Sequence, residues 1–409
     1  MKEKPKHAPM DQFPIKDNCL QIGGISVAQL AEQVGQTPFY AYDRRLISER
    51  VTSLRNALPE YIHLHYAIKA NPMPAVVQLM STLVDGFDLA SAGEMKVALD
   101  TTMERKHISF AGPGKTDKEL KQAIAAEIVI NMESETEMER IASFANEMNL
   151  TPKVAIRVNP DFELKASGMK MSGGPKPFGV DAERVPAMMK RLTELPIQFH
   201  GFHIFSGSQN LSAESIIDAH NKTFELACRL SEQAPTPPKL LNIGGGLGIP
   251  YFPGDTRIDL QPISENLKKL FPTVKQNLPD AEIVMELGRY LVGEAGAYVC
   301  KVIDKKMSRG ETYLITDGGL HHHLAASGNF GQVIRKNYPV VIGNKVEGDK
   351  ETVSVVGPLC TPLDILANKM ELTEAGVGDL VVVFQSGAYG YTASPERFLS
   401  HPKVSEILV

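Results

Sequence analysis

No apolar run in this sequence approaches the roughly 20 residues that a membrane-spanning helix needs. The opening stretch, Met1-Lys-Glu-Lys-Pro-Lys-His7, is polar and is followed by no apolar signal core. A membrane partner is therefore not expected, and a cytoplasmic location is. Cysteine is scarce. Cys19, Cys228, Cys300 and Cys360 are widely spaced, with no Cys-x-x-Cys pair and no zinc pattern, which suits a reducing compartment and gives no metal site. Charge of one sign is also lacking: the formal net charge is −5, which offers nucleic acid no attraction. What is present is ordinary for a soluble globular chain, with 43% hydrophobic and 22% charged residues. The 409 residues exceed one compact domain of common size, so two domains, or a barrel with an appendage, are expected.

From residue 62 onward, short apolar runs alternate with longer helical patterns. The runs cover 62–68, 86–90, 108–111, 127–132, 154–158, 199–205, 240–243 and 283–287. Helical spacing falls between most of them, as at 117–126, 135–148, 213–234 and 262–277. Eight strand-helix units in series predict a (β/α)8 barrel; an open doubly wound sheet is the alternative. After about residue 293 the rhythm changes. Apolar runs at 297–303, 313–315, 340–342, 352–356 and 380–384 have little helix between them and predict a separate all-β domain.

A barrel carries its chemistry on loops leaving the C-terminal ends of its strands. Unusual residues gather at those places. Lys69 follows the first run and is succeeded by Pro72 and Pro74, which do not suit a continuing strand. A lysine at the end of a buried strand costs desolvation unless a partner or a covalent bond uses it. Such a lysine suits Schiff-base chemistry, with a solvated strand-end lysine as the plain alternative. Asp88 sits near the end of the second run, and Arg157 with Asn159 close the fifth. His203, Ser206 and Ser208 close the sixth, Gly244, Gly245 and Gly246 the seventh, and Glu286, Gly288 and Arg289 the eighth. Three glycines after a strand suggest an N–H nest for a phosphate, to which Ser206 or Ser208 adds a hydroxyl; a flexible connection is the alternative. Gly112-Pro-Gly-Lys-Thr116 looks like the end of a P-loop but lacks its first glycine, since position 109 is serine. Thr116 and Glu119 read instead as a capping box. His321, His322 and His323 are consecutive and cannot all face one metal ion. A loop histidine near substrate is the better functional reading for them.

Taken in order and spacing, certain segments resemble the fold-type III pyridoxal-phosphate decarboxylases, the ornithine/diaminopimelate/arginine group. These are Tyr66-Ala-Ile-Lys-Ala-Asn71, Asp88-Leu-Ala-Ser-Ala-Gly-Glu94, Arg157-Val-Asn-Pro160, His203 to Gln209, Gly244 to Gly246, Glu286-Leu-Gly-Arg289, Gly357-Pro-Leu-Cys360 and Gly387-Ala-Tyr-Gly390. The resemblance spans nearly the whole chain. It implies an alanine-racemase-like barrel over 41–292 and a β-domain over 293–409 that residues 1–40 join. It further implies that Lys69 holds pyridoxal 5'-phosphate as a Schiff base and that His203 stacks on the ring. Gly244, Gly245, Gly246, Arg289, Tyr389 and Ser206 or Ser208 then hold the phosphate, with Asp88, Arg157 and Gly288 close by. Glu286 pairs with the pyridine nitrogen, which favours decarboxylation over racemisation, since a racemase of this class uses arginine there. By the same resemblance Cys360 reaches the active site of the partner subunit and reprotonates the substrate carbon, so a homodimer with active sites at the interface is implied. Substrate contacts are expected from Arg289, Arg335, Tyr338, Cys360, Thr361 and Tyr389.

Two departures bear on the substrate. The group's amino-acid decarboxylases follow the cysteine with an acid that binds a distal ammonium; here Thr361 follows. The segment from His203 to Gln209 is two residues longer than the usual pattern. Cys360-Thr-Pro-Leu-Asp364, Gly112 to Asp117 and Phe398-Leu-Ser-His-Pro402 resemble a branch acting on carrier-bound glutamyl thioesters and on citryl-diaminopropionate. Asp161-Phe-Glu-Leu-Lys165, Gly318 to Gly331 and Gln385-Ser-Gly-Ala-Tyr389 resemble the decarboxylases found beside exosortase A and exopolysaccharide systems. The expected substrate is thus a small-molecule or carrier-protein-bound amino acid. Alternatives are a racemase or epimerase, and a decarboxylase of a free diamino acid such as diaminopimelate or ornithine. A catalytically dead regulatory relative is disfavoured because Lys69 and Cys360 are both present.

Overall fold

The computed structural model describes residues 5–162, 169–170 and 173–409, and the chain divides into two units. One comprises Arg50–Gly248 and Ile258–Gly288. The other comprises the residues up to Glu49 together with Ile249–Arg257 and Arg289–Val409.

In the first unit eight parallel strands close on themselves among the described residues. In chain order they are Ile62–Ala67, Gly86–Leu89, Ile108–Phe110, Val129–Met132, Lys153–Asn159, Gln198–His203, Leu240–Asn242 and Glu282–Leu287. Each pairs with the next, and the eighth pairs back on the first with Glu286 opposite His65. The expected barrel is the observed one. Helices intervene where the capping signals place them. Glu135–Met148 begins at Ser134, whose hydroxyl accepts from the Glu137 N–H, and Asp117–Ala125 opens with the capping box of Thr116 and Glu119. Every strand differs from its expected run by one or two residues at an end, and at two of them the backbone gives the reason. The first strand stops at Ala67, and Ile68–Ala70 forms a 3-10 turn, so Lys69 rides on a turn just past the strand. The fourth starts at Val129, two residues after Glu127, whose left-handed backbone, φ +57°, departs from the extended conformation.

Successive strand side chains point to opposite faces, so residues two apart share one. Val129, Ala155, Leu240 and Val284 pack together as an apolar plug. Two positions further along the same four strands stand Asn131, Arg157, Asn242 and Glu286, all buried. The period of two carries them onto the same face, one step nearer the C-terminal rim. On the rim loop after the third strand, the segment that resembles a P-loop has a different task. Lys115 is buried against Glu137 at 2.7 Å and also donates to the carbonyls of Gly112 at 2.8 Å and Asn131 at 2.9 Å.

The second unit is built on a sheet. Gly296–Ser308 is its long central strand, flanked by Leu380–Val383 and Glu311–Thr316, with Val340–Ile342, Lys350–Val356 and Ile365–Thr373 beyond. Phe39–Tyr42 pairs antiparallel with the central strand, and Ser405–Leu408 pairs with Phe39–Tyr42. Alternation again divides the faces: Ala297 and Val299 pack with Phe13, Leu20, Phe39 and Val382 in one core. The N-terminal residues therefore complete the β-domain, as expected. Two strands of this sheet escaped the sequence reading, as did the three short strands Ile15–Lys16, Cys19–Ile22 and Ile25–Ser26 outside it. Ile365–Thr373 carries Lys369 at φ +49°, and its register with Lys350–Val356 shifts, which breaks the alternation. Ser405–Leu408 is four residues long and half-buried throughout. No helix among the described residues is long and apolar enough to cross a membrane.

The Lys115–Glu137 pair yields a stability test. Lys115→Met leaves a buried carboxylate unpaired and should cost about 3–5 kcal/mol, read as a lower urea midpoint. Adding Glu137→Leu should restore most of the loss, because the desolvation cost of the orphaned charge is removed with it.

Candidate active site

Glu286 is the centre of the barrel rim. Its side chain is 4% exposed; Oε1 accepts from Lys69 Nζ at 3.1 Å, and Oε2 lies 3.2 Å from His203 Nε2. Burial alone would raise the carboxyl's pKa. The Lys69 ammonium and the His203 hydrogen bond outweigh it and hold Glu286 well below the usual carboxylate range. Lys69 itself is 40% exposed and 5.3 Å from the Phe205 ring, so its amine is reachable by a small molecule. His203 Nδ1 is buried with no hydrogen-bond partner among the described residues.

The other rim residues arrange themselves around this centre's strands. Gly244 and Gly246 take left-handed backbone, φ +68° and +83°. A Cβ on Gly245 would lie 2.0 Å from the Glu286 carbonyl oxygen, so only glycine permits this approach. The Gly244 carbonyl accepts from the Glu286 N–H at 2.9 Å, and the Gly246 carbonyl from Asn210 at 2.9 Å. Gly288 packs less tightly over Ala67 and Ala70, where a Cβ would lie 2.8 Å from the Ala70 Cβ. Ser206 is buried, while Ser208 lies in a two-residue strand paired with Met169–Lys170. Asp88 is buried and accepts from Ser109. Arg157 pairs with Glu133 at 2.7 Å and lies 5.0 Å from the Phe178 ring. Glu133 also accepts from Gly112 N at 2.6 Å and Gly179 N at 3.1 Å, which ties three rim loops together. Sequence reasoning did not single out Glu133; its place one residue past the fourth strand was the available signal.

In the second unit, Arg289 stands in an aromatic surround. Its Nη1 donates to Tyr251 Oη at 3.0 Å, its guanidinium carbon is 4.7 Å from the Tyr389 ring, and Tyr251 lies 4.7 Å from Tyr338. Burial works against the charge, but the tyrosine oxygens outweigh it and raise the guanidinium's pKa. Arg289 Nε is buried with no hydrogen-bond partner among the described residues. Tyr251 was not anticipated, although it stands in the same run as the three glycines. Arg335 donates to the carbonyls of Ser327 and Ile365, each at 2.6 Å, and so braces its own loop. Cys360 is exposed. Thr361 Oγ1 accepts from Leu363 N at 3.3 Å, and buried Asp364 accepts from Leu320 N at 2.6 Å and Leu359 N at 2.9 Å. His321, His322 and His323 are all buried, with His322 on the Pro402 carbonyl and His323 on the Ser386 hydroxyl. Burial pushes His321 and His323 down to about 3. Of the Asp161 to Lys165 pattern, residues 163–165 lie outside the described residues.

A phosphorylated aldehyde with a basic ring nitrogen would need an amine, an ionised acid for that nitrogen, and N–H donors for the phosphate. The rim supplies all three: reachable Lys69, buried Glu286 and the turn at Gly244, Gly245 and Gly246. The depressed pKa of Glu286 also fixes an acid dependence. Unfolded, a glutamate titrates at about 4.3. Its folded value is lower, so its stabilisation is complete above that pH and is lost as pH falls through the folded value. Melting temperature measured from pH 7 down to pH 3 should fall less steeply in Glu286→Gln than in the parent protein.

The family described as "Pyridoxal-dependent decarboxylase, pyridoxal binding domain" matches residues 44–293. The L-glutamyl-[BtrI acyl-carrier protein] decarboxylase of Niallia circulans is 36% identical over 380 residues, 91% of this chain and 89% of that protein. The 2-[(L-alanin-3-ylcarbamoyl)methyl]-2-hydroxybutanedioate decarboxylase of Staphylococcus aureus is 31% identical over 388 residues, 92% of this chain and 95% of that one. Among solved structures, diaminopimelate decarboxylase from M. jannaschii in complex with L-lysine has a TM-score of 0.88 at 27% identity, covering 98% of this chain and 93% of that one. With an amine, an ionised acid and a glycine turn on the rim of such a barrel, the chain belongs to the pyridoxal-dependent decarboxylases and is a carboxy-lyase that uses pyridoxal phosphate.

Proposed function

We propose that this enzyme removes the α-carboxylate of an amino acid whose far end is closed as an amide or a carrier-bound thioester. The turn at 360–364 carries the reading. Its one acid, Asp364, is buried and occupied by two backbone N–H groups, and the neighbouring Thr361 is neutral and engaged in the turn. This turn offers no carboxylate to a distal ammonium, as a free diamino acid would require. The activities named for the Niallia and Staphylococcus relatives, one on a carrier-bound glutamyl group and one on an amide conjugate, agree with it.

Pyridoxal phosphate, when bound, supplies the electron sink for the charge left as carbon dioxide departs. Lys69 provides the amine that receives the aldehyde. Glu286, kept ionised by its neighbours, holds a proton at the ring nitrogen. We assign His203 to the ring and the turn at Gly244, Gly245 and Gly246 to the phosphate, through the N–H groups of Gly245 and Gly246, with Ser206 or Ser208. Asp88, Arg157 and Gly288 shape the surroundings of that site. Arg289 and Tyr389 are assigned to anionic groups of cofactor and substrate, Tyr338 to substrate, and Arg335 to holding its loop for substrate. Cys360 of the partner subunit returns a proton to the α-carbon. The homodimer this requires is supported by Phe330, Val333, Ile334 and Leu363, exposed apolar residues on segments tied together by Asn329 and Arg335. We also assign the chain to the branch found beside exosortase A and exopolysaccharide systems, on the residues from Gly318 to Gly331 and Gln385 to Tyr389.

A second reading, decarboxylation of free diaminopimelate, is favoured by the likeness to the M. jannaschii enzyme. Carbon dioxide release from glutamyl thioesters and citryl conjugates, against diaminopimelate, ornithine and lysine, separates the two. The conjugates should be preferred; faster turnover of diaminopimelate would overturn the proposal. Thr361→Glu should improve kcat/KM for diamino acids by roughly 10- to 100-fold, the size of one charge-assisted hydrogen bond. Lys69→Ala should lose the borohydride-reducible adduct, and an adduct that persisted would remove Lys69 from its role.

A further inference from the structure

Inside the barrel lies a polar layer that includes residues with no role in the proposed chemistry. It comprises His65, Asp88, Ser109, Asn131 and Asn242, all buried. Asp88 Oδ1 accepts from Ser109 Oγ at 2.5 Å and, at a longer 3.5 Å, from Asn242 Nδ2. Ser109 Oγ in turn accepts from Asn131 Nδ2 at 3.0 Å. The second Asp88 oxygen lies 3.4 Å from His65 Nδ1. The imidazole of His65 lodges over Gly86, its register partner, where a Cβ would come within 2.3 Å of Nε2.

Polar side chains in a barrel core cost free energy unless each is paired, and apolar residues would close the barrel as well. The layer's link to the rim is Asn242, whose Oδ1 accepts from the Gly244 N–H at 2.8 Å. This is a side-chain turn of the kind that favours a left-handed residue next in line, and Gly244 is left-handed. Which way the Asn242 amide faces is decided by Asp88. A carboxylate only accepts, so the NH2 group must face Asp88, and the carbonyl oxygen is left for Gly244. Ser109 holds Asp88 at the oxygen that Asn242 shares, while the second oxygen faces His65 Nδ1 at 3.4 Å with no hydrogen-bond partner among the described residues.

We propose that Asn242 is a positioning residue: oriented by Asp88, it holds the glycine turn in the shape that takes the cofactor's phosphate. Because the Gly244 carbonyl also accepts from the Glu286 N–H, the same amide sets the turn relative to the strand that carries the acid. The inference rests on the assignment of the phosphate to the turn at Gly244, Gly245 and Gly246, with Gly244 shaping the turn and the two glycines after it donating.

The test compares affinity for pyridoxal phosphate and for pyridoxal, read by absorbance titration of the apo-protein. Loss of one hydrogen bond in Asn242→Ala should weaken pyridoxal phosphate by about tenfold and leave pyridoxal nearly unchanged. Asn242→Ser, whose hydroxyl can accept from Gly244 N–H more weakly, should fall between the two. Melting temperatures are taken alongside. An Asn242→Ala ratio equal to the parent's overturns the inference, as does an equal loss of both ligands in the alanine and serine variants. Gly244→Ala, strained at φ +68°, is the control for the underlying assignment. If it keeps the phosphate preference, or if the parent has none, the phosphate assignment itself fails and the inference falls with it.

Discussion

A carboxylate that stays ionised where burial would neutralise it is the constraint on which this structure turns. Glu286 is held in that state by an ammonium at one oxygen and an imidazole at the other. His203 ends one strand and Lys69 rides on the turn after another, and the three meet only because the barrel closes. Closure depends on the apolar plug of Val129, Ala155, Leu240 and Val284, and the plug leaves the next inward positions free for polar groups. Fold and chemistry thus share the same strands, two residues apart.

The glycine turn is coupled to the same acid through the backbone. Gly244 and Glu286 exchange a main-chain hydrogen bond, and Gly245 sits against the Glu286 carbonyl. A group that spans the acid and the turn therefore meets two contacts whose separation the backbone sets. Preorganisation of this kind removes the cost of ordering donors at the moment of binding.

Much of this was legible in the sequence. Alternating apolar runs gave the barrel because parallel strands buried on both faces read as short hydrophobic stretches. Lys69, His203, Glu286 and the three glycines stood out because each is chemically odd at a strand end. The contacts that hold them were less visible. Glu133 and Tyr251 look like ordinary residues until strands far apart in sequence are brought together. Lys115 looked like part of a nucleotide motif, and only Glu137 beside it shows a buried ion pair. The strand Ile365–Thr373 was hidden by a bulge, since a residue at φ +49° erases the alternation that identifies a strand. The neutrality of Thr361 was readable, whereas the inward commitment of Asp364 was not.

The two-residue step from plug to polar layer has a consequence for how this barrel tolerates change. Inserting or deleting one residue within any of those four strands would exchange its faces, sending the acid, arginine or asparagine outward and an apolar neighbour inward. The same change in a connecting helix would alter a surface and leave the register intact. Variation in length among proteins built this way should therefore collect in the connections, while the strands keep their count.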